Sequence, residues 1–121
     1  MIASLLAADP GQLRAHELRA PALLPSEVTS ALCEMAFRGD IPADEAIAAV
    51  DRLAAATIIY EPPGGDARDA IDLARRLGWA TSYDAEYVAL ASRLDCALVT
   101  LDDRLRRGVG RLISVLGPAD L

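Results

Sequence analysis

The chain contains no lysine; all twelve of its basic residues are arginine. A P-loop needs a Lys beside its glycines to reach the phosphates, so Pro62-Pro63-Gly64-Gly65 reads as a plain loop. Histidine is nearly absent too. His16 stands alone among Arg14, Glu17 and Arg19, the pattern of a solvated helix face. With one such His and no G-x-S-x-G elbow, Ser-His and Cys-His nucleophilic catalysis have no support. Cys33 and Cys96 are the only cysteines and form no C-x-x-C or His/Cys group, which excludes the usual zinc spacings. Both fall in apolar stretches, where a free Cys behaves as a small hydrophobe, and a reduced, cytoplasmic setting is expected. No apolar run approaches the length of a membrane span, so no membrane role is expected. The N-terminus lacks the basic region of a signal peptide. Aromatics are sparse at 4%, and Trp79 reads as a packing residue. Positive charge is also in deficit. A net charge of -6 excludes a general, charge-driven nucleic-acid binder, but not an enzyme that holds phosphates through a metal ion.

What is present is a chain of 121 residues, 53% hydrophobic, long enough for one domain and one core. Gln12 to Leu18 predicts a short helix, and Pro21 to Pro25 an extended segment held out of helix by its prolines. Ser26 then reads as an N-cap, with Val28, Ala31, Leu32, Met35 and Ala36 as an apolar stripe ended by Gly39. A second helix starts at Ile41-Pro42, with Ile47, Val50, Leu53 and Ala54 inward. Thr57 to Tyr60 is β-branched and aromatic, a strand candidate. A helix from Asp66 or Ala67 turns Ala70, Leu73, Ala74 and Leu77 inward and closes at Gly78. The stretch from Ser82 to Leu105 is the richest. It predicts a helix with Asp84 in its first turn and Tyr87, Leu90, Ala91 and Leu94 inward, then a strand Ala97 to Thr100, then two acids, Asp102 and Asp103. Arg111 to Leu116 reads as a last strand. Helices alternating with short strands predict an α/β fold with a mostly parallel sheet.

Three acids share one structural relation. Glu27, Asp84 and Asp102 each lie at a helix start or just beyond a strand, where open α/β sheets gather their ligands. Acids at helix starts ordinarily do no more than complement the helix dipole. Brought into one crevice, however, they would repel unless a cation neutralised them, and hard oxygen ligands suit Mg²⁺ or Mn²⁺. Arg104, Arg106 and Arg107, with Arg111, concentrate positive charge just after Asp102. They read as a solvated turn or as a phosphate-steering edge.

Two motifs carry a resemblance. Tyr83-Asp84-Ala85-x-Tyr87-Val88-Ala89-Leu90-Ala91, followed by Ala97-Leu98-Val99-Thr100-Leu101-Asp102-x-Arg104-Leu105, resembles the C-terminal half of PIN-domain ribonucleases of the VapC toxin type. Ala20-Pro21-x-Leu23-Leu24-x-Ser26-Glu27-Val28 resembles that family's second motif. The likeness implies a three-layer α/β/α domain over residues 1–121 and Mg²⁺ or Mn²⁺ as cofactor. It also implies endonucleolytic cleavage of RNA by a metal-activated water, an antitoxin protein as partner, and a homodimer. Matched residue by residue, Glu27, Asp84 and Asp102 would be the catalytic, metal-site acids. Asp102 rather than Asp103 takes the T-x-D position, and Thr100 would orient a carboxylate or a water. Arg104, Arg106 and Arg107 would meet RNA. The family's opening strand, ending in D-x-S or D-x-T and supplying a further acid, has no counterpart. Met1 to Leu6 resembles the helix that follows it, so the chain is expected to be truncated at its N-terminus. A second arrangement makes Ile2 to Ala8 the strand and Asp9 the acid. A catalytically impaired domain that only binds an antitoxin or dimerises is the alternative to an active nuclease.

Overall fold

The computed structural model describes residues 16–120. Met1 to Ala8, Asp9 and most of the helix expected over Gln12 to Leu18 lie outside the described residues. The end of that segment is a strand, not a helix: β1 spans Leu18–Ala20. Helix α1, Leu24–Phe37, begins earlier than Ser26. Pro25 falls in its first turn, where the missing N–H has no intrahelical partner to lose. Ser26 is therefore already inside the helix, and the N-cap position belongs to Leu23, which makes no side-chain cap bond. Leu24, Val28 and Leu32 form its buried stripe.

Helix α2, Ala43–Ala55, packs against α1. Its inward row is Ala46, Ala49, Val50 and Leu53. Ile47 and Ala54, expected inward, are exposed, because each lies one residue and hence about 100° beyond that row. Strand β2, Ile58–Tyr60, pairs in parallel with β1, Leu18 opposite Ile58 and Ala20 opposite Tyr60. Helix α3, Ala67–Leu77, buries Ala70, Leu73 and Ala74, and stops at Gly78, whose φ of 71° no Cβ-bearing residue adopts easily. Helix α4, Tyr83–Leu94, packs on α3 and buries a continuous block from Tyr87 to Ala91. It ends at Asp95, which adopts a left-handed conformation at φ 50°.

Strand β3, Leu98–Val99, pairs in parallel with β4, Val115–Leu116. Between them runs α5, Asp103–Val109. The last strand is shorter than the Arg111 to Leu116 run predicted. Leu112 and Ile113 both donate their N–H to the Val109 carbonyl, so the chain is still winding there. The α/β class with parallel strands and helical crossovers is as expected. Among the described residues the strands form two separate parallel pairs, β1–β2 and β3–β4, rather than one continuous sheet. One apolar core runs through α1, α3, α4, β3 and α5, from Leu24 and Val28 to Leu105 and Val109. Cys33 and Cys96 lie outside it; both are exposed, Cys33 on the outer side of α1 and Cys96 in the turn after Asp95.

One ion network was not legible in the sequence. Arg93 on α4 grips Asp66 with two nitrogens, at 2.6 and 3.1 Å, and Glu61 at 2.9 Å. Glu61 in turn accepts from Arg19 of β1 at 3.2 Å. The Asp66 side chain is only 9% exposed, so this pairing fastens the β2–α3 loop to α4.

Candidate active site

Glu27 occupies the first turn of α1, where a carboxylate complements the helix dipole. Its function is not exhausted by that, because its Oε1 accepts a hydrogen bond of 2.6 Å from the hydroxyl of Tyr87. The two residues are 60 positions apart, so the bond ties α1 to α4. Tyr87 itself is 6% exposed, a large ring delivered by the apolar face of α4 with its polar tip aimed at the acid.

Electrostatics show what surrounds this bond. Burial pushes the Glu27 carboxyl above its ordinary range; the Tyr87 hydrogen bond opposes that rise, and the charges of Asp84 and Glu86 add to it. Tyr87 is pushed far above the ordinary phenol range by burial, then by its bond to Glu27 and by the same acids. Glu27, Asp84 and Glu86 therefore share one neighbourhood around the Tyr87 hydroxyl. Among the described residues, none of the three is paired with an arginine. Glu86 is held at the edge of the group by the Ser82 hydroxyl at 3.2 Å. Asp84 is exposed in the first turn of α4.

Asp102 plays a different local part. It is the N-cap of α5, its Oδ1 accepting from the N–H of Arg104 at 2.9 Å and of Leu105 at 3.2 Å. Its Oδ2 lies 3.8 Å from the Arg104 guanidinium. Thr100, 1% exposed at the end of β3, accepts from the Asp102 N–H through its hydroxyl at 3.0 Å. Thr100 thus fixes the turn that presents the acid, rather than touching the carboxylate. Asp103, the first residue of α5, makes no comparable bond among the described residues.

A cleft of about 310 Å³ opens beside these groups, lined by Gly78, Trp79, Ala80, Thr81, Asp84, Arg104 and Leu105. It joins the start of α4 to the start of α5. Of the three arginines expected at RNA, only Arg104 lines it. Arg106 turns to Asp120 in the C-terminal turn at 3.9 Å, and Arg107 is exposed on α5. Glu27 feels the charge of Asp84; Asp102 is joined to Asp84 only at one remove, through Arg104, which lines the cleft with Asp84 and lies 3.8 Å from Asp102. Among the described residues, no three acidic, Cys or His side chains converge as a ready-made metal cage. Tyr87 is the residue sequence reasoning passed over. Its burial follows from helical periodicity, but nothing local marks its hydroxyl as the partner of an acid three helices back along the chain.

Residues 2–110 match the PIN domain family. The chain is 35% identical over 108 residues to VapC ribonuclease Mb0985 of Mycobacterium bovis, covering 86% of this chain and 81% of that protein. It has the same identity and coverage with ribonuclease VapC9 of Mycobacterium tuberculosis.

Proposed function

The chain belongs to the PIN-domain family, and we propose on that footing that it is a metal-dependent endoribonuclease, the toxin of a toxin–antitoxin pair. The observation that carries this reading is the half-buried Glu27 carboxylate, held by Tyr87 and close enough to feel the charge of Asp84, with no arginine among the described residues paired to either. The donor chemistry fits Mg²⁺ or Mn²⁺. Such ions keep several waters and take only one or two carboxylates directly, so a closed cage of three is not required. Glu27 and Asp84 would hold the ion, with Asp102 contributing from the start of α5. When bound, it would supply an acidified water as nucleophile and a counter-charge for the phosphodiester.

The chain's own residues do the rest. Tyr87 keeps Glu27 ionisable and fixed in direction. Thr100 and the backbone of α5 hold Asp102 in place, leaving one of its oxygens free of the cap. Arg104 at the mouth of the cleft steers an RNA phosphate toward the acids, which an otherwise acidic surface would repel. An antitoxin as protein partner, a homodimer and a cytoplasmic setting belong to the same proposal.

The test is RNA cleavage by the parent chain and by Asp84→Asn, each with Mg²⁺, Mn²⁺ or EDTA. Cleavage that needs the metal and vanishes in the variant is expected; undiminished cleavage by Asp84→Asn overturns the assignment. The absence of three converging donors among the described residues favours one second reading, an impaired domain that only binds its partner. Calorimetric titration with Mn²⁺ separates the two, because an impaired domain binds the ion weakly or not at all.

A further inference from the structure

Resting on the ribonuclease reading, we propose that Trp79 forms a nucleobase-stacking subsite in the cleft beside Asp84, positioning the RNA for cleavage. The chain has a single Trp, and it lines the same cleft as Asp84 and Arg104. Its backbone is pinned: the Trp79 N–H donates to the Ala74 carbonyl at 2.8 Å, across the left-handed Gly78 that ends α3. The ring is braced as well. A Cβ built on Gly108 of α5 would stand 3.8 Å from Trp79 Cζ2, ordinary contact distance, so the indole edge lies against that helix. The residue is half-buried, packed on the core along one side while it contributes to the cleft wall.

A packing Trp needs neither an acid nor an arginine beside it. The cleft supplies both, with Leu105 adding further apolar wall. Its volume of about 310 Å³ suits one nucleotide rather than a folded RNA. Base on indole, phosphate at Arg104 and backbone passing Asp84 is the division of contacts by which proteins hold single strands: stacking for the base, charge for the phosphate. Stacking tolerates any base, so the subsite sets position more than sequence.

The sole Trp makes the test direct. Asp84→Asn protein, which leaves RNA uncut, is titrated with a single-stranded RNA 12-mer of mixed sequence and with an abasic ribose-phosphate 12-mer. The RNA is expected to quench the Trp79 fluorescence and to bind roughly tenfold or more tighter than the abasic strand. Trp79→Leu in the same background should bind the two strands equally, at the abasic level, while Trp79→Phe keeps most of the difference. A folded Trp79→Leu protein that still prefers RNA to the abasic strand overturns the subsite, as does fluorescence unmoved at saturating RNA. RNA cleavage by the parent chain alongside either result leaves the nuclease reading intact. Neither strand binding at all, with a parent that cuts no RNA, overturns both.

Discussion

The Tyr87 hydroxyl donates a 2.6 Å hydrogen bond to Glu27, and in doing so joins two helices whose contacting residues lie 60 positions apart. Tyr87→Phe leaves a half-buried carboxylate without its donor. A loss of about 1–3 kcal/mol in unfolding free energy is expected by denaturant titration. The hydroxyl also holds the Glu27 pKa down against burial. Without it that pKa rises further, so the acidic limb of the pH–activity profile moves to higher pH. A profile identical to the parent's would argue against this role.

Glu27 itself stabilises less than a neutral residue would. Its folded pKa lies above the ordinary 4.5, so the folded state holds this proton more firmly than the unfolded chain does. The stability tied to that proton is complete below about pH 4.5 and is lost as pH rises through the elevated folded value. Glu27→Gln imitates the protonated form while still accepting from Tyr87. Measured in EDTA, it should melt higher than the parent at pH 7 and at the same temperature at pH 4, while losing RNA cleavage. A variant that melts lower at pH 7 contradicts the sign.

Asp102 separates cap from chemistry. Asn is as good an N-cap as Asp, so Asp102→Asn should keep near-parent stability, whereas Asp102→Ala should lose about 1 kcal/mol. Both should lose metal-dependent cleavage. Equal stability of the two variants in thermal melts would mean that the bonds to Arg104 and Leu105 contribute nothing.

Arg93→Ala strands Asp66, 9% exposed, and leaves Glu61, 15% exposed, with Arg19 as its remaining cation. Its melting temperature should fall clearly below that of Arg76→Ala, which breaks only an exposed pair with Asp72 on α3. Matching melting temperatures would make the network a surface ornament.

Much of the architecture was legible in advance because helical periodicity and glycine stops are local. Leu73 and Ala74 face inward, and Gly78 ends α3 as its left-handed φ requires. The errors are local as well, at prolines and at edges. Pro25 reads as a barrier to helix, yet a first-turn position tolerates it, so α1 starts earlier than the sequence predicts. Hydrophobicity alone points Ile47 inward, but the inward row passes through Ala46 and Val50. The candidate site was legible as a set of acids and illegible as an arrangement. The Glu27–Tyr87 bond, the capping duty of Asp102 and the turning of Arg106 to Asp120 all depend on where separate elements meet. No window of sequence contains that meeting.

Asp84 and Tyr87 are three residues apart on α4, about 300° of helical rotation. This places an exposed acid and a buried hydroxyl on adjoining sides of one turn, and the helix serves as the ruler that spaces Asp84 from Glu27. The consequence concerns chain length rather than side-chain chemistry. One residue inserted between positions 84 and 87 swings the acid by about 100° relative to the ring, undoing the grouping while every original side chain survives. The same insertion in the exposed Pro62–Gly65 turn shifts no such register. In this chain the four residues from Asp84 to Tyr87 should therefore be the interval least tolerant of length change, even where substitution at Ala85 by another small residue is accepted.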